Sequence, residues 1–146
     1  MCDNEILEQN KEVIRRYWDG KWNERRPEIL DELHKADLVY HGTVMDMHGA
    51  EEYKQVYGMF LSILQDTRIT IEDMIAEGDK VMTRATISAV HMGELDGIPP
   101  TGNSVKLSGF TVFRLVDGKI AEEWEAWDWW GLYQQLGMEL KPKEVE

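Results

Sequence analysis

The 146-residue sequence has a single cysteine, Cys2, and no apolar run near the roughly 20 residues that cross a bilayer. One cysteine excludes an intrachain disulfide, and the acidic start of the chain lacks the apolar centre of a secretion signal. Basic residues are also scarce: 16 Lys and Arg against 28 Asp and Glu give a formal net charge of −12. This charge disfavours nucleic acid and anionic membranes as partners. We therefore expect a cytoplasmic protein that binds neither.

Several motifs of known chemistry are absent as well. The sequence has no HExxH, no paired cysteines and no His/Asp cluster at metal-ligand spacing, which disfavours a metal site. Neither GxGxxG after a strand nor GxxxxGK occurs, so nucleotide cofactors lack support. No repeat or Pro/Gly linker divides the chain. We predict a single domain over residues 1–146, with a core of about 8–138, a loose tail at 139–146 and no cofactor.

The first half of the sequence has the periodicity of helices. Apolar residues three and four apart predict one helix from Asn4 to about Gly20 and another from about Ala50. A short helix is predicted between them, with Pro27 in its first turn. The segment "ADLVYHG" then looks extended, and the loop "TVMDMHG" follows it.

The second half has the pattern of β-structure. Two hairpins are predicted, turning at Gly78-Asp79 and at Asp117-Gly118, with the loop "GIPPTGNS" between them. A short helix, "GLYQQLG", follows the second hairpin. Helices followed by strands predict an α+β domain. We expect a strongly curved antiparallel sheet that forms a cone, with the N-terminal helices packed on its concave face and a ligand site inside.

The second half also carries the motifs "AEGD", "HMGELDGIPPTG", "FRLVDGKIAEEW" and "LYQQLG", and it places Trp124 four residues before Asp128. With these motifs the chain resembles the SnoaL-like polyketide cyclases over about residues 8–138. That family belongs to the nuclear transport factor 2-like superfamily, with ketosteroid isomerase and limonene epoxide hydrolase. The resemblance implies an intramolecular aldol ring closure without metal or organic cofactor, in which Asp128 is the general acid/base.

The resemblance also points to four substrate-binding residues: His41, Arg84, His91 and Trp124. One departure concerns the size of the cavity. Trp129 and Trp130 directly follow Asp128, which is more tryptophan than the family leads us to expect. We therefore expect a cavity narrower than a large tetracyclic substrate needs.

Strand alternation gives a reading of Asp128 that does not depend on the family. It puts Asp128 on one face with Ile120, Glu122, Trp124 and Ala126, and the residues Glu123, Glu125 and Trp127 on the other. If the first face borders the cavity, indole rings desolvate Asp128 and raise its pKa from about 3.9. Such a carboxyl group suits proton transfer at the carbon next to a carbonyl. His41, His91 or Arg84 would then donate to the enolate oxygen, although alternation puts Arg84 and His91 on opposite faces.

Each of these residues also has a purely structural interpretation. Asp128 could cap the helix "WWGLYQQL", and Arg84 could pair with a surface carboxylate. His41 and His91 could be satisfied surface residues. The other tryptophans (Trp127, Trp129 and Trp130) are interpreted as core or as the face of a homodimer, and His34 and His48 as surface residues.

Three functions remain open from the sequence. The first is a cyclase or isomerase that acts on a small, mostly apolar carbonyl compound and uses Asp128 for proton transfer. The second is a non-catalytic module that binds a hydrophobic ligand or only dimerises. The third is an epoxide hydrolase with an Asp–Arg–Asp arrangement, for which Arg84 and Asp128 are available and Glu122 or Asp73 would supply the second carboxylate.

Overall fold

A computed structural model describes residues 2–145 as an α+β fold in which helices cover one face of a curved, unclosed sheet of six strands. In chain order its elements are α1 (Asp3–Trp18), a π-helical turn (Asp19–Asn23), α2 (Glu28–Leu33), β1 (His34–His41), β2 (Asp46–His48), α3 (Ala50–Ile63), β3 (Leu64–Glu77), β4 (Lys80–His91), β5 (Ser104–Val116), β6 (Lys119–Trp127) and α4 (Trp129–Gln135). The predicted fold class, helices and hairpins are confirmed. None of these helices has the length and apolar character to cross a membrane.

The strand order of the sheet is β2-β1-β6-β5-β4-β3. Four of the neighbouring pairs are antiparallel, but β1 and β6 run parallel, so the expectation of a purely antiparallel sheet is wrong in this detail. Because β1 and β6 are far apart in the chain, no tight turn joins them and imposes an antiparallel orientation. This pairing places β1 beside β6, the strand that carries Glu125 and Trp127 of the candidate site.

The core lies between α1 and the concave face of the sheet. Ile14, Tyr17 and Trp18 of α1 are fully buried, and the rings of Tyr17 and Trp18 meet Phe113 of β5 edge-on at centroid distances of 5.6 and 5.5 Å. Burial of each such side chain stabilises the fold by about 1.5–3 kcal/mol. The helix is therefore held on the sheet mainly by its aromatic face.

The π-helical turn after α1 extends this buried face to Lys21. Gly20 allows α2 to pack closely against this turn, because a Cβ there would lie 2.7 Å from Cγ1 of Ile29 in α2. Lys21 and Trp22 follow, and both are buried. Short π-helical segments are frequently found at functional sites.

Other predictions concern the ends and outer surface of the molecule. Residues 138–145 form neither a helix nor a strand, and Glu146 lies outside the described residues. On the outer face of the sheet, Phe110 and Ile75 are more than half exposed. The domain bounds, the loose tail and the homodimer remain predictions.

Candidate active site

The face of β6 that borders the core is opposite to the one predicted. Glu122 pairs with Arg114 in the ladder and Ile120 pairs with Leu115, so Ala121 is an extra residue that forms a β-bulge. A one-residue insertion moves every following side chain to the other face. The inward-pointing residues after the bulge are therefore Glu123, Glu125 and Trp127. Before the bulge, Ile120 points inward as well.

A cavity of about 70 Å³ opens between this face, α3 and the π-helical turn. Most of its lining is aromatic or aliphatic, and one lysine and one glutamate, Lys21 and Glu125, contribute to it. The other lining residues are Trp22, Tyr40, Met47, Tyr53, Val56, Tyr57, Phe60, Leu64, Ile87, Leu107, Trp127 and Trp129. This volume holds a handful of water molecules. Trp127 and Trp129 thus line the cavity, and both also pack against the buried core, in agreement with their interpretation as core residues.

Glu125 is the carboxyl group of this cavity, and its side chain is oriented by two donors. The Tyr40 hydroxyl and the Trp127 indole N–H both donate to Oε2, at 3.0 and 2.8 Å. Oε1 is buried without a hydrogen-bond partner among residues 2–145. Burial raises the pKa of Glu125, the ammonium of Lys21 opposes this shift, and Glu123 adds to it.

The indole of Trp127 keeps its position because the facing strand offers it a flat surface. Gly109 of β5 is its ladder partner, and any Cβ at that residue would overlap the ring. The ring also meets Trp18 edge-on at 6.0 Å. The hydrogen bond from Trp127 to Glu125 thus depends on a glycine in the neighbouring strand.

Behind Glu125, a second carboxylate is paired with a histidine. Glu123 and His34 have fully buried side chains, and His34 Nε2 lies 3.1 Å from Glu123 Oε1. The same nitrogen lies 3.1 Å from the Tyr17 hydroxyl. The interpretation of His34 as a surface residue is wrong, because β1 begins at this residue and aligns it with Ile120 in the core.

Lys21 supplies the ammonium group of the cavity, although it is not among the site residues predicted from the sequence. Its side chain is 4% exposed, and Nζ donates to the Tyr53 hydroxyl. The Tyr17 hydroxyl donates to the same oxygen at 3.0 Å. Burial lowers the pKa of Lys21, and the charges of Glu125 and Glu123 oppose this shift.

Asp128 does not line the cavity. It directly follows β6, is exposed to solvent, and accepts a hydrogen bond from the Gly131 N–H at 2.9 Å as the N-cap of α4. The expectation that indole rings desolvate it is therefore wrong, and its position is that of the capping alternative. The β-bulge at Ala121 is the cause, because it turns Trp124 outward and Trp127 inward.

The capping role gives a testable expectation. Replacing Asp128 by Ala should lower the free energy of unfolding by about 1 kcal/mol, since the orphan N–H of Gly131 loses its acceptor. Asp128→Asn keeps a side-chain acceptor and should be close to the wild type. Urea denaturation measures both; equal stability of the Ala and Asn variants would contradict the capping role.

Three of the predicted substrate-binding residues lie on the outer face of the sheet. Trp124 stacks on the imidazole of His41 at a centroid distance of 5.4 Å, and His41 Nε2 lies 2.6 Å from a Glu122 carboxylate oxygen. Arg84 donates to Asp73 at 2.7 Å, also outside the cavity. These contacts contradict the placement of Trp124, His41 and Arg84 inside the cavity.

His91, the fourth of these residues, is buried on the inner face at the end of β4. Its Nδ1 lies 2.9 Å from the Thr101 hydroxyl in the following loop, so His91 holds this loop and not the cavity wall. The predicted opposite orientation of Arg84 and His91 agrees with the alternation of β4. Among residues 2–145, no three His, Cys, Asp or Glu side chains are grouped closely enough to hold a metal ion.

The chain is similar to known proteins in family, in sequence and in structure. The family model described as SnoaL-like polyketide cyclase matches residues 12–136. The chain belongs to this family. The SnoaL-like assignment agrees with the α+β fold, in which a curved sheet encloses a cavity next to its last strand.

Individual relatives match most of the chain. The aklanonic acid methyl ester cyclase DauD of Streptomyces sp. (strain C5) is 26% identical over 129 residues, which are 87% of this chain and 78% of DauD. IdmH of Streptomyces antibioticus, a candidate polyketide cyclase, is 29% identical with a TM-score of 0.78, over 89% of this chain and 99% of IdmH.

The fold is shared by a more distant member as well. A SnoaL-like protein of Jannaschia sp. CCS1 has a TM-score of 0.84 at 21% identity, over 92% of this chain and 96% of its own. At that identity the likeness concerns the fold alone. It supports the SnoaL-like architecture and carries no statement about a substrate.

Proposed function

We propose that this protein is a cyclase-type enzyme that moves a proton at the carbon next to a carbonyl in a small, largely apolar substrate. The observation that supports it is a carboxyl group, Glu125, that is 8% exposed and lines an aromatic cavity. DauD, a relative by sequence, is named as a cyclase of a carbonyl-containing ester. Glu125 takes the role that the sequence analysis gave to Asp128, because Glu125 is the carboxyl group in contact with the cavity.

The reaction begins with removal of a proton from carbon. The ionised Glu125 takes the proton, the C–H electron pair becomes a C=C bond, and the carbonyl oxygen gains the negative charge of an enolate. The enolate carbon then attacks a second carbonyl of the same molecule and closes a ring, and the protonated Glu125 returns its proton to the alkoxide oxygen formed there. A raised pKa brings Glu125 nearer to neutrality, where a carboxyl group can both accept and return a proton.

The surroundings of Glu125 suit this role. Burial raises the pKa of Tyr40 far above its ordinary value, so its hydroxyl stays protonated and continues to donate to Oε2. The Trp127 N–H binds the same oxygen. With Oε2 held by two donors, Oε1 is the oxygen that can accept the proton. The aliphatic and aromatic lining limits the water that would compete for the enolate.

The epoxide hydrolase alternative receives less support from the geometry. Arg84 pairs with Asp73 on the outer face, whereas Asp128 caps α4, so the proposed Asp–Arg–Asp group is not assembled at the cavity. The non-catalytic alternative requires only the cavity, and it differs from the proposal in one respect: a bound carbonyl compound would not exchange its protons.

The test is deuterium exchange into 2-tetralone, a small apolar ketone, in D₂O, followed by mass spectrometry. We expect exchange above the buffer rate, in proportion to the concentration of wild-type protein, and we expect Asp128→Asn to keep this rate. Binding of 2-tetralone without exchange would contradict the enzyme and favour the binding module. A folded Asp128→Asn variant without exchange would return the catalytic role to Asp128.

A further inference from the structure

The ammonium of Lys21 lies in an aromatic cage at the cavity. Nζ is 4.8–5.9 Å from the ring centroids of five residues: Tyr17, Trp18, Trp22, Tyr53 and Tyr57. Aromatic faces attract a cation through their quadrupole, which favours the charged form of the lysine in this place. The cage stabilises the buried positive charge of Lys21. Aromatic rings do not, however, accept hydrogen bonds from the ammonium N–H groups as well as an oxygen atom does.

The nearby acceptors leave part of the ammonium's hydrogen-bonding capacity unused. An ammonium has three N–H donors, and Nζ of Lys21 donates to one oxygen, the Tyr53 hydroxyl. Glu123 is paired with His34, and Glu125 accepts from Tyr40 and Trp127. Within residues 2–145, Lys21 makes no ion pair of 4.0 Å or less.

Most of the other donor groups near Lys21 are already used. Tyr17 donates to Tyr53, Tyr40 donates to Glu125, and Tyr57 donates to the backbone carbonyl of Lys21. The Tyr53 O–H and the buried Trp22 indole N–H have no acceptor among residues 2–145 and offer one donor each. The Lys21 ammonium, with two N–H groups left, therefore has the largest unused donor capacity at the cavity wall. A buried cation without a direct counter-ion is costly, and a bound anion would remove that cost.

We propose that Lys21 binds an oxygen anion of the ligand, the enolate or phenolate oxygen of a flat, largely apolar molecule. In catalysis, which rests on the proposed function, Lys21 would be a catalytic residue that stabilises the enolate formed when Glu125 takes the proton. The proton moves to Glu125, and its former negative charge appears on the ligand oxygen. The net charge of the cavity thus stays constant, and Lys21 gains a direct counter-ion in the step.

The test uses 4-nitrophenol, whose phenolate form absorbs at longer wavelength than the neutral phenol, and needs no turnover. At a pH below the pKa of the free probe, wild-type protein should bind it as the phenolate. The ratio of bound phenolate to bound phenol should rise by about tenfold or more over the free probe, since one unit of pKa is a factor of ten. Lys21→Met should bind the neutral form and lose the phenolate band.

A matched control is another lysine next to an indole. Lys80 Nζ lies 6.0 Å from the Trp124 ring centroid on the outer face, so Lys80→Met should leave the bound spectrum unchanged. A wild-type spectrum of bound neutral phenol, no binding of the probe, or an unchanged phenolate band in Lys21→Met would each overturn the proposal.

A second measurement needs only the wild-type protein. Its affinity for 4-nitrophenol relative to 4-nitroanisole, which cannot ionise, should increase as pH rises through the pKa of the phenol. A constant ratio would overturn the proposal even where Lys21→Met fails to fold. The two proposals fail in different ways. Phenolate binding without exchange of 2-tetralone would refute the proposed enzyme and leave the anion site intact. Exchange of 2-tetralone without phenolate binding would refute only the role of Lys21.

Discussion

Replacement of Glu125 by Gln is expected to lower the rate of 2-tetralone exchange by about 10²–10⁴-fold, the usual contribution of a positioned acid/base group. Gln keeps the shape of Glu, and its amide oxygen can accept the hydrogen bonds from Tyr40 and Trp127. It cannot take a proton from carbon. The loss should therefore appear in the rate, with 2-tetralone binding preserved.

The same substitution should raise the melting temperature at neutral pH. Burial raises the pKa of Glu125 in the fold, whereas the unfolded chain has the ordinary value. The folded state then favours the protonated form, so stability falls as pH rises through the folded pKa and the group ionises. Gln does not ionise, so the variant lacks this loss of stability. The difference in melting temperature from the wild type should therefore grow as pH rises above about 4.3, until Glu125 is ionised in the folded protein. Such an exchange of stability for activity is common at catalytic sites.

Glu122 offers the matched control on the same strand. It lies beyond the bulge on the outer face, where His41 and Arg114 bind its carboxylate. Its pKa is lowered, chiefly by the hydrogen bond from His41. Glu122→Gln should therefore keep the exchange rate and gain no stability at neutral pH. Normal exchange by Glu125→Gln, or an equal loss in both variants, would contradict the assignment of Glu125.

The periodicity of the sequence was sufficient for the architecture and insufficient for the interior face of β6. The hairpin turns at Gly78 and Asp117-Gly118 could be predicted because a tight turn depends only on the few residues that form it. The structure has both turns at these residues. The face of β6 depends on whether Ala121 is part of the ladder or of a bulge. The sequence of β6 is compatible with both arrangements, and the pairing with β5 determines which of them forms.

Neither Lys21 nor Glu125 was predicted as a site residue, for different reasons in the two cases. Lys21 continues the buried face of α1, since it follows Ile14, Tyr17 and Trp18 by 7, 4 and 3 residues, so this signal was present in the sequence. The predicted end of the helix near Gly20 excluded it, because the π-helical turn could not be foreseen. Glu125 carried no such signal, since buried glutamates are rare and an exposed position was the natural expectation.

The resemblance to the family placed Asp128 correctly at the end of the last strand but could not define its surroundings. A residue at a strand end can turn into the cavity or cap the following helix, and both positions are compatible with the same motif. Gly131 three residues later supplies the N–H that the carboxylate caps. The spacing of Asp and Gly is thus the local feature that supports the capping position.

The second large effect is expected from His34. Replacing His34 by Leu should lower the free energy of unfolding by about 3–5 kcal/mol, because the buried Glu123 carboxylate loses its partner. Glu123 has one hydrogen-bonded oxygen in the fold, and its second oxygen is buried without a partner among the described residues. In the fold the Tyr17 hydroxyl donates to Tyr53, and His34 Nε2 is the side-chain atom that binds Glu123 Oε1.

The double variant separates a lost partner from a lost packing contact. His34→Leu combined with Glu123→Met removes both polar groups and should recover most of the stability in urea denaturation, because an apolar pair avoids the desolvation cost. Glu123 also raises the pKa of Glu125, so the acidic limb of the exchange rate should move to lower pH in the double variant. No recovery of stability would show that His34 acts through packing, and an unmoved acidic limb would show that Glu123 does not tune Glu125.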